Sequence, residues 1–265
     1  MRSVYSTAMK TYVNPGIVIR RIDLGEKDRI LTIYTKDYGK LSAVAKGCRR
    51  PGSKLAGPSE PFVYSKMMFA CGRDLDILTQ ADVRESFPNI RSCITTTAHA
   101  IYLLELIDKF SEDRQPNAEL FDILLSGLYM LEGGTDPELT ARYFELQLLR
   151  TLGYEPHFEA CLRCGNLPRS GLVVFSPSLG GVQCQLCGAL PSDGMLVPVA
   201  LISYVKALKT AEPNRIRELQ FPAGARRDLA RVLKWHIRYR LDSDLKSTAF
   251  LRESQSNTAP QVSPR

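Results

Sequence analysis

The sequence predicts an α+β chain, with a small β-barrel first and a helical domain after it. Three observations lead there. Five short segments rich in β-branched and aromatic residues lie before residue 86, each bounded by turn residues. From residue 86 to 242 the apolar residues recur at helical spacing. Within that second part, Cys161, Cys164, Cys184 and Cys187 form two C-x-x-C pairs.

The strand-like segments are residues 16–22, 29–35, 40–46, 62–71 and 75–83. Leu24-Gly25, Asp37-Tyr38-Gly39, the stretch from Gly47 to Pro61, and Cys71-Gly72-Arg73-Asp74 divide them. Apolar and polar residues alternate, imperfectly, over 30–34 and 40–45. Five strands with a long loop between the third and fourth suit a closed barrel of OB type over residues 1–85. A β-sandwich fragment or an SH3-like barrel gives a similar pattern, and periodicity alone does not separate them.

Three helices follow. Residues 97–112 carry Ile101, Leu104 and Ile107 on one face, and residues 118–132 repeat the pattern with Leu120, Leu124, Leu128 and Leu131. The third, 136–152, opens with an Asp cap before Pro137 and ends at Gly153, with Pro156 beyond. It sets Leu139, Tyr143, Leu146 and Leu149 on one side. Consecutive amphipathic helices of this length predict an antiparallel bundle. Two more helices are expected at 197–210 and 223–241, so the helical domain covers 86–242. Residues 243–265 are rich in Ser, Gln, Thr and Pro, which predicts a disordered tail.

The cysteine spacing, C-x₂-C-x₁₉-C-x₂-C, is that of a four-thiolate zinc finger spanning 157–190. Each pair can turn two sulfurs toward one point around a tight knuckle, and two knuckles supply the corners of a tetrahedron. Gly165 and Gly188 follow the second cysteine of each pair, where positive φ is often needed. The expected cofactor is one structural Zn²⁺, because four thiolates close the shell that a catalytic zinc keeps open. His157 is a surplus ligand and reads as surface or packing. The other three cysteines, Cys48, Cys71 and Cys93, are expected to pack as small hydrophobes. An odd count of seven argues against a disulfide framework. The first twelve residues lack the apolar core of a signal peptide, so a cytoplasmic location is expected.

The charge is uneven. The net charge is +7, and residues 1–80 hold 14 Lys/Arg against 7 Asp/Glu, while residues 81–265 hold 21 of each. A basic domain beside a neutral one points to a localised anionic partner. The densest cluster runs from Lys46 through Arg49 and Arg50 to Lys54. Arg20, Arg21, Lys27, Arg29, Lys36 and Lys40 add to it. Tyr34, Tyr38, Phe62, Tyr64 and Phe69 lie among them, each a candidate base-stacking face or a core residue. A second basic stripe, Arg227, Arg231, Lys234 and Arg238, shares one face of the last helix opposite Leu229, Val232, Leu233 and His236. It suits an acidic peptide, or is simply a solvated face. No phosphate loop, H-E-x-x-H, G-x-S-x-G or dinucleotide fingerprint occurs, so no enzyme activity is expected.

These parts, taken in order, resemble the bacterial RecO family of recombination mediators. The resemblance rests on Val18-Ile-Arg-Arg21, Gly25-Glu-Lys-Asp-Arg29, Thr35 to Lys40, and Lys46 to Ser53 in the first domain. In the second it rests on Leu104-Glu105-Leu106, Leu148-Leu149, Gly153-Tyr-Glu-Pro156, Cys161 to Gly165, and Phe175 to Gly181. It covers about residues 12 to 242 and departs at Cys48, where a small residue such as alanine is usual. It implies an OB fold, a helical domain with a zinc finger, and a function in DNA repair. It also implies binding of single- and double-stranded DNA, strand annealing, and loading of recombinase on strands coated by single-strand-binding protein (SSB). The partners implied are RecR and the SSB C-terminal tail. From charge and resemblance together, the expected DNA contacts are Arg20, Arg21, Lys36, Lys40, Lys46, Arg49, Arg50 and Lys54. The alternative is a zinc-containing OB-fold module that binds structured RNA.

Overall fold

The computed structural model describes residues 10–187 and 191–256, and these fall into two units. The first unit is Met1–Pro88 with Leu104–Leu125. Its strands are β1 (Thr11–Leu24), β2 (Asp28–Thr35), β3 (Gly39–Ala45), β4 (Tyr64–Ala70) and β5 (Asp76–Glu85). They close into a barrel in the order β1-β2-β3-β5-β4, the five-stranded OB-like arrangement.

One long strand makes closure feasible. β1 pairs antiparallel with β2 through one part of its length and with β4 through the other, and a bulge between Val18 and Arg20 bends it. Gly16 lies where the two pairings overlap. A Cβ there would stand 2.8 Å from the Ile33 side chain, so the close approach of β1 and β2 requires glycine. A short parallel pairing of β3 with β5, Ala43 with Asp76 and Val44 with Ile77, completes the ring. At that join the buried Asp76 carboxylate accepts from Tyr12 Oη (2.5 Å), Arg114 Nη2 (2.7 Å) and the Gly72 N–H (3.1 Å).

The barrel interior is apolar: Val18, Leu31, Ile33, Leu41, Ala43, Met67, Phe69 and Leu78, with Cys48 among them. β3 shows strict alternation, with Leu41, Ala43 and Ala45 inward. β2 does not, because Leu31–Thr35 are all buried. Its outward face is covered within the unit, where the Tyr34 hydroxyl donates to the Asn117 carbonyl (3.3 Å). Gly39, which opens β3 at φ +66, is equally constrained, since a Cβ would fall 2.0 Å from the Gln115 carbonyl oxygen.

The helices are α1 (Pro88–Ser92), α2 (Ile94–Phe110), α3 (Ala118–Glu132), α4 (Pro137–Thr151), α5 (Leu201–Thr210), α6 (Ala223–Leu241) and α7 (Ser247–Ser256). The first unit takes Pro88 of α1, Leu104–Phe110 of α2 and Ala118–Leu125 of α3, and the second unit takes the rest. Within the second unit α2, α3 and α4 meet at Gly127. A Cβ there would lie 2.9 Å from Leu103 and 3.3 Å from Phe144, so a small residue sets their spacing. α4 also packs against α5 and α6. It is buried nearly all round from Leu139 to Leu149, more completely than one amphipathic face predicts. Its Glu145 is fully buried, and Oε1 accepts from Tyr102 Oη (2.5 Å) and pairs with Arg142 (2.7 Å). Burial pushes that carboxyl above its ordinary pKa, against the pull of Arg142 and Tyr102.

Three elements depart from expectation. The helical domain contains a three-stranded sheet, β7-β6-β8, made of β6 (Leu172–Ser176), β7 (Gly181–Cys184) and β8 (Met195–Pro198). β8 takes the start of the helix expected from residue 197, because Pro198 holds Val197 extended, and α5 begins only at Leu201. The tail expected to be disordered carries α7, anchored by buried Leu245 and Ser247, while residues 257–265 lie outside the described residues. No helix among the described residues is long and apolar enough to cross a membrane.

Candidate nucleic-acid interface and metal site

The barrel cations that the sequence singles out divide into two groups. In the first, each cation already faces an acid. Lys36 Nζ lies 2.9 Å from Asp122, Arg20 lies 3.6 Å from Asp108, and Lys40 donates to the Asp108 carbonyl (2.7 Å) beside the Asp108 and Asp113 carboxylates. The second group gathers at one end of the barrel, on the β1–β2 turn and the loop after β3. Three bonds tie these loops together. The Arg49 N–H donates to the Lys27 carbonyl (3.0 Å), Arg49 Nη1 to the Gly25 carbonyl (3.0 Å), and the Gly47 N–H to Asp28 Oδ1 (2.7 Å). Gly25 (φ +59) and Gly47 (φ +65) supply the left-handed turns this needs. Lys27, Lys46, Arg50 and Lys54 are exposed there, with no carboxylate partner among the described residues.

Beside them Arg21, Arg29 and Arg49 share two carboxylates. Arg29 Nη1 donates to Glu60 Oε1 (2.9 Å), and Arg21 Nη1 donates to the same oxygen. Asp23 pairs with Arg29 (3.3 Å) and Arg49 (3.4 Å). The sequence exposes the cations of this cluster and hides the acids, because Glu60 lies 31 and 39 positions from its two arginines.

Of the five aromatics, Tyr34, Phe62 and Phe69 are core. Tyr64 is half-buried and sits edge-on to Phe121. Only Tyr38, 41% exposed, offers a face; its ring lies 4.7 Å from Tyr12, which stacks on Phe69.

On α6 the expected stripe is present. Arg227, Arg231 and Arg238 are exposed and Lys234 half-buried, opposite buried Leu229, Val232, Leu233, His236 and Ile237. Arg231 pairs with Asp228 (3.5 Å) and Arg238 with Asp244 (3.2 Å). Trp235 and Tyr239 are exposed beside the stripe. Arg240, on the less polar side, lies over Tyr154 (5.5 Å) and Tyr239 (5.6 Å). His236 is buried, with Nε2 2.7 Å from the Tyr154 carbonyl.

The four cysteines of the finger converge. Cys161 and Cys164 lie on one turn, Cys184 ends β7, and Cys187 closes the 3₁₀ turn after it. Their sulfurs all fall within 4.8 Å of one another. Cys161–Cys187 and Cys164–Cys184 are 3.8 Å apart and Cys184–Cys187 3.3 Å. A disulfide would bring a pair to about 2.05 Å. With metal–sulfur bonds of about 2.3 Å, a tetrahedron has edges of about 3.8 Å, so the donor set fits a tetrahedral dication. The N–H groups of Arg163 (3.4 Å) and Cys184 (3.3 Å) point at Cys161 Sγ. Burial opposes ionisation of Cys161, but such backbone donors bring its thiol down to about 6. The thiols of Cys184 and Cys164 push Cys187 up to about 12. Thiols this close do not all ionise unaided, and a central cation resolves the conflict.

Gly165 has φ +75 as expected, whereas Gly188 lies outside the described residues. His157 pairs with Glu159 (3.3 Å) and takes no part in the sulfur cluster. Of the isolated cysteines, Cys48 is buried as expected, but Cys71 and Cys93 are exposed. They sit at the end of β4 and in the α1–α2 link, where no core reaches them.

Two family models match the chain: recombination protein O N terminal over residues 9–87 and recombination protein O C terminal over residues 91–249. The chain is 38% identical over 244 residues to a DNA repair protein RecO of Pelotomaculum thermopropionicum, covering 92% of this chain and 94% of that protein. It is 32% identical over 242 residues to one of Desulfitobacterium hafniense, with 90% and 88% covered. It is 36% identical over 245 residues to one of Roseiflexus sp., with 91% and 85% covered.

Proposed function

Because the chain belongs to the RecO family of DNA repair proteins, we propose that it acts as a recombination mediator. In this reading it binds single- and double-stranded DNA through its barrel and anneals complementary strands. With RecR, it then helps load recombinase on strands coated by SSB. The observation that carries the reading is the group of unpartnered cations Lys27, Lys46, Arg50 and Lys54 on two loops tied by hydrogen bonds. Charges held on ordered loops meet a phosphate backbone without first paying to be arranged. Phosphate contacts ignore sequence, which is what pairing arbitrary strands demands. Lowering the charge between two strands favours their pairing, and no covalent bond changes, so the activity asks for no catalytic group.

The sulfur cluster is assigned to one Zn²⁺, held by Cys161, Cys164, Cys184 and Cys187. Four thiolates match zinc in type, number and edge length, and a closed shell braces the finger without leaving a position for substrate. The stripe Arg227, Arg231, Lys234 and Arg238 is assigned to an acidic peptide, for which the SSB tail is the expected source. The place of action would be the cytoplasm, at the nucleoid.

A strand-annealing assay without ATP tests the reading, using complementary oligonucleotides with and without bound SSB. The expected result is faster pairing in both arms, falling steeply with salt. A chain that neither binds nor pairs bare oligonucleotides at low salt would overturn it.

A further inference from the structure

Glu60 holds an unusual position in the basic cluster. Its Oε1 receives two guanidinium groups, Arg21 from β1 and Arg29 from β2, so two cations converge on one oxygen atom. Arg29 is fixed in place: its side chain is 14% exposed and its Nε also faces Asp23. Arg21 and Glu60 are open to solute, at 36% and 33%. Glu60 is carried by the loop that follows the 3₁₀ turn Gly57–Ser59, so its carboxylate can leave without breaking the barrel ladder. Two guanidiniums aimed at one oxygen are the recognition geometry of a phosphate as much as of a carboxylate. The unpartnered cations Lys27, Lys46, Arg50 and Lys54 stand on the loops of the same barrel end.

We propose that Arg21 and Arg29 form a phosphodiester subsite for single-stranded nucleic acid that Glu60 occupies in the free protein, so that a backbone phosphate binds by displacing this carboxylate. The inference rests on the DNA-binding reading above and adds a regulation to that surface. Displacement exchanges one anion for another, so the subsite contributes little net affinity in the wild type. It acts as a threshold: a strand already held by the loop cations completes its contacts here, whereas a free anion does not compete. Removing the charge of Glu60 without its shape converts an exchange into a gain.

The test compares the full chain with Glu60→Gln for binding of a dT oligonucleotide over a salt series, and for stabilisation by inorganic phosphate alone. The variant is expected to bind roughly threefold to tenfold tighter at low salt. Its log K against log salt should be steeper, because the uncovered Arg21 and Arg29 attract a solution anion that the strand expels, whereas the wild type expels only its own Glu60 carboxylate. Inorganic phosphate should raise its melting temperature more than that of the wild type. The double variant R21Q/E60Q should return to the wild-type slope. A folded E60Q that binds no tighter, with an unchanged slope and no response to phosphate, overturns the proposal. If E60Q does not fold, Glu60→Asp, which withdraws the carboxylate by one methylene, must show the same directions at smaller size or the proposal fails. A wild type that leaves oligonucleotides unbound instead removes the DNA-binding reading itself.

Discussion

Asp136 divides its two carboxylate oxygens between the start of one helix and the side of another. Oδ1 accepts the Leu139 N–H at 3.0 Å, capping α4, and Oδ2 accepts Arg226 Nη1 of α6 at 2.6 Å. Asp136→Ala should cost about 1–2 kcal/mol, typical of a lost cap. The ion pair adds little, since its side chains are 39% and 32% exposed and solvent screens them. Asp136→Asn, which keeps the cap and loses the charge, should therefore recover most of the loss in urea unfolding. Burial opposes the charge of Asp136, but Arg226 and the Leu139 N–H outweigh it and hold its carboxyl below the ordinary value. Its contribution is thus present above the usual carboxylate range and lost as pH falls through the lowered value.

The legible parts of this chain were the local ones. A turn such as Asp37-Tyr38-Gly39 and the alternation of Leu41, Ala43 and Ala45 are written within a few residues, and so β3 is legible to within one residue at each end. The Asp-Pro start and Gly153 end of α4 are equally local. β1 runs beyond its expected ends at 16 and 22, because Pro15 on one side and Asp23 on the other break the strand pattern, yet β4 recruits residues 11–15 and β2 recruits residues 23–24. The strands β6 to β8 are four or five residues long, too short for periodicity to register against a helical background. The cysteine set was readable since C-x-x-C fixes its own knuckle. The division of the cations was not, because Lys36 meets an acid 86 positions away and no spacing rule links them.

The metal reading predicts one equivalent of bound Zn²⁺ per chain, released by thiol-modifying reagents. Cys184→Ala removes a buried ligand that touches two other sulfurs at 3.3 and 3.8 Å. It should lower metal content and destabilise the second unit by several kcal/mol, since binding energy at such a site is folding energy. Protection of β6 and β7 amides against hydrogen exchange should fall with it, while the barrel strands keep theirs. Full zinc occupancy in Cys184→Ala would contradict the assignment.

Charge reversal should separate the two groups of barrel cations. Glutamates at Lys46, Arg50 and Lys54 are expected to weaken oligonucleotide binding strongly and to flatten the salt dependence by about 0.7 for each contact removed. Glutamates at Arg20, Lys36 and Lys40 face Asp108, Asp113 and Asp122 and should instead destabilise the barrel unit. Equal losses of affinity in both triple variants, at equal stability, would show that the partnered cations also meet DNA.

His236 should make stability depend on pH in a window where few other groups titrate. Its ring is buried, Nε2–H donates to the Tyr154 carbonyl at 2.7 Å, and Nδ1 has no partner among the described residues, so the fold accepts the neutral ring and resists a second proton. Burial lowers its pKa to about 4, with the positive charge of Arg240 acting in the same direction and the Tyr154 carbonyl against. Unfolded, the ring titrates near 6.5. Between these values the unfolded chain binds a proton that the native chain refuses, so the contribution is whole above about 6.5 and is lost as pH falls toward 4. The full window corresponds to about 3 kcal/mol. Buried His99 shifts the same way, so the wild type alone does not isolate the effect. The difference between wild type and His236→Gln does: the variant should be less stable at pH 7.5 and lose less stability on going to pH 5. Parallel pH profiles for the two proteins would mean that His236 gains its proton in the fold as readily as outside it.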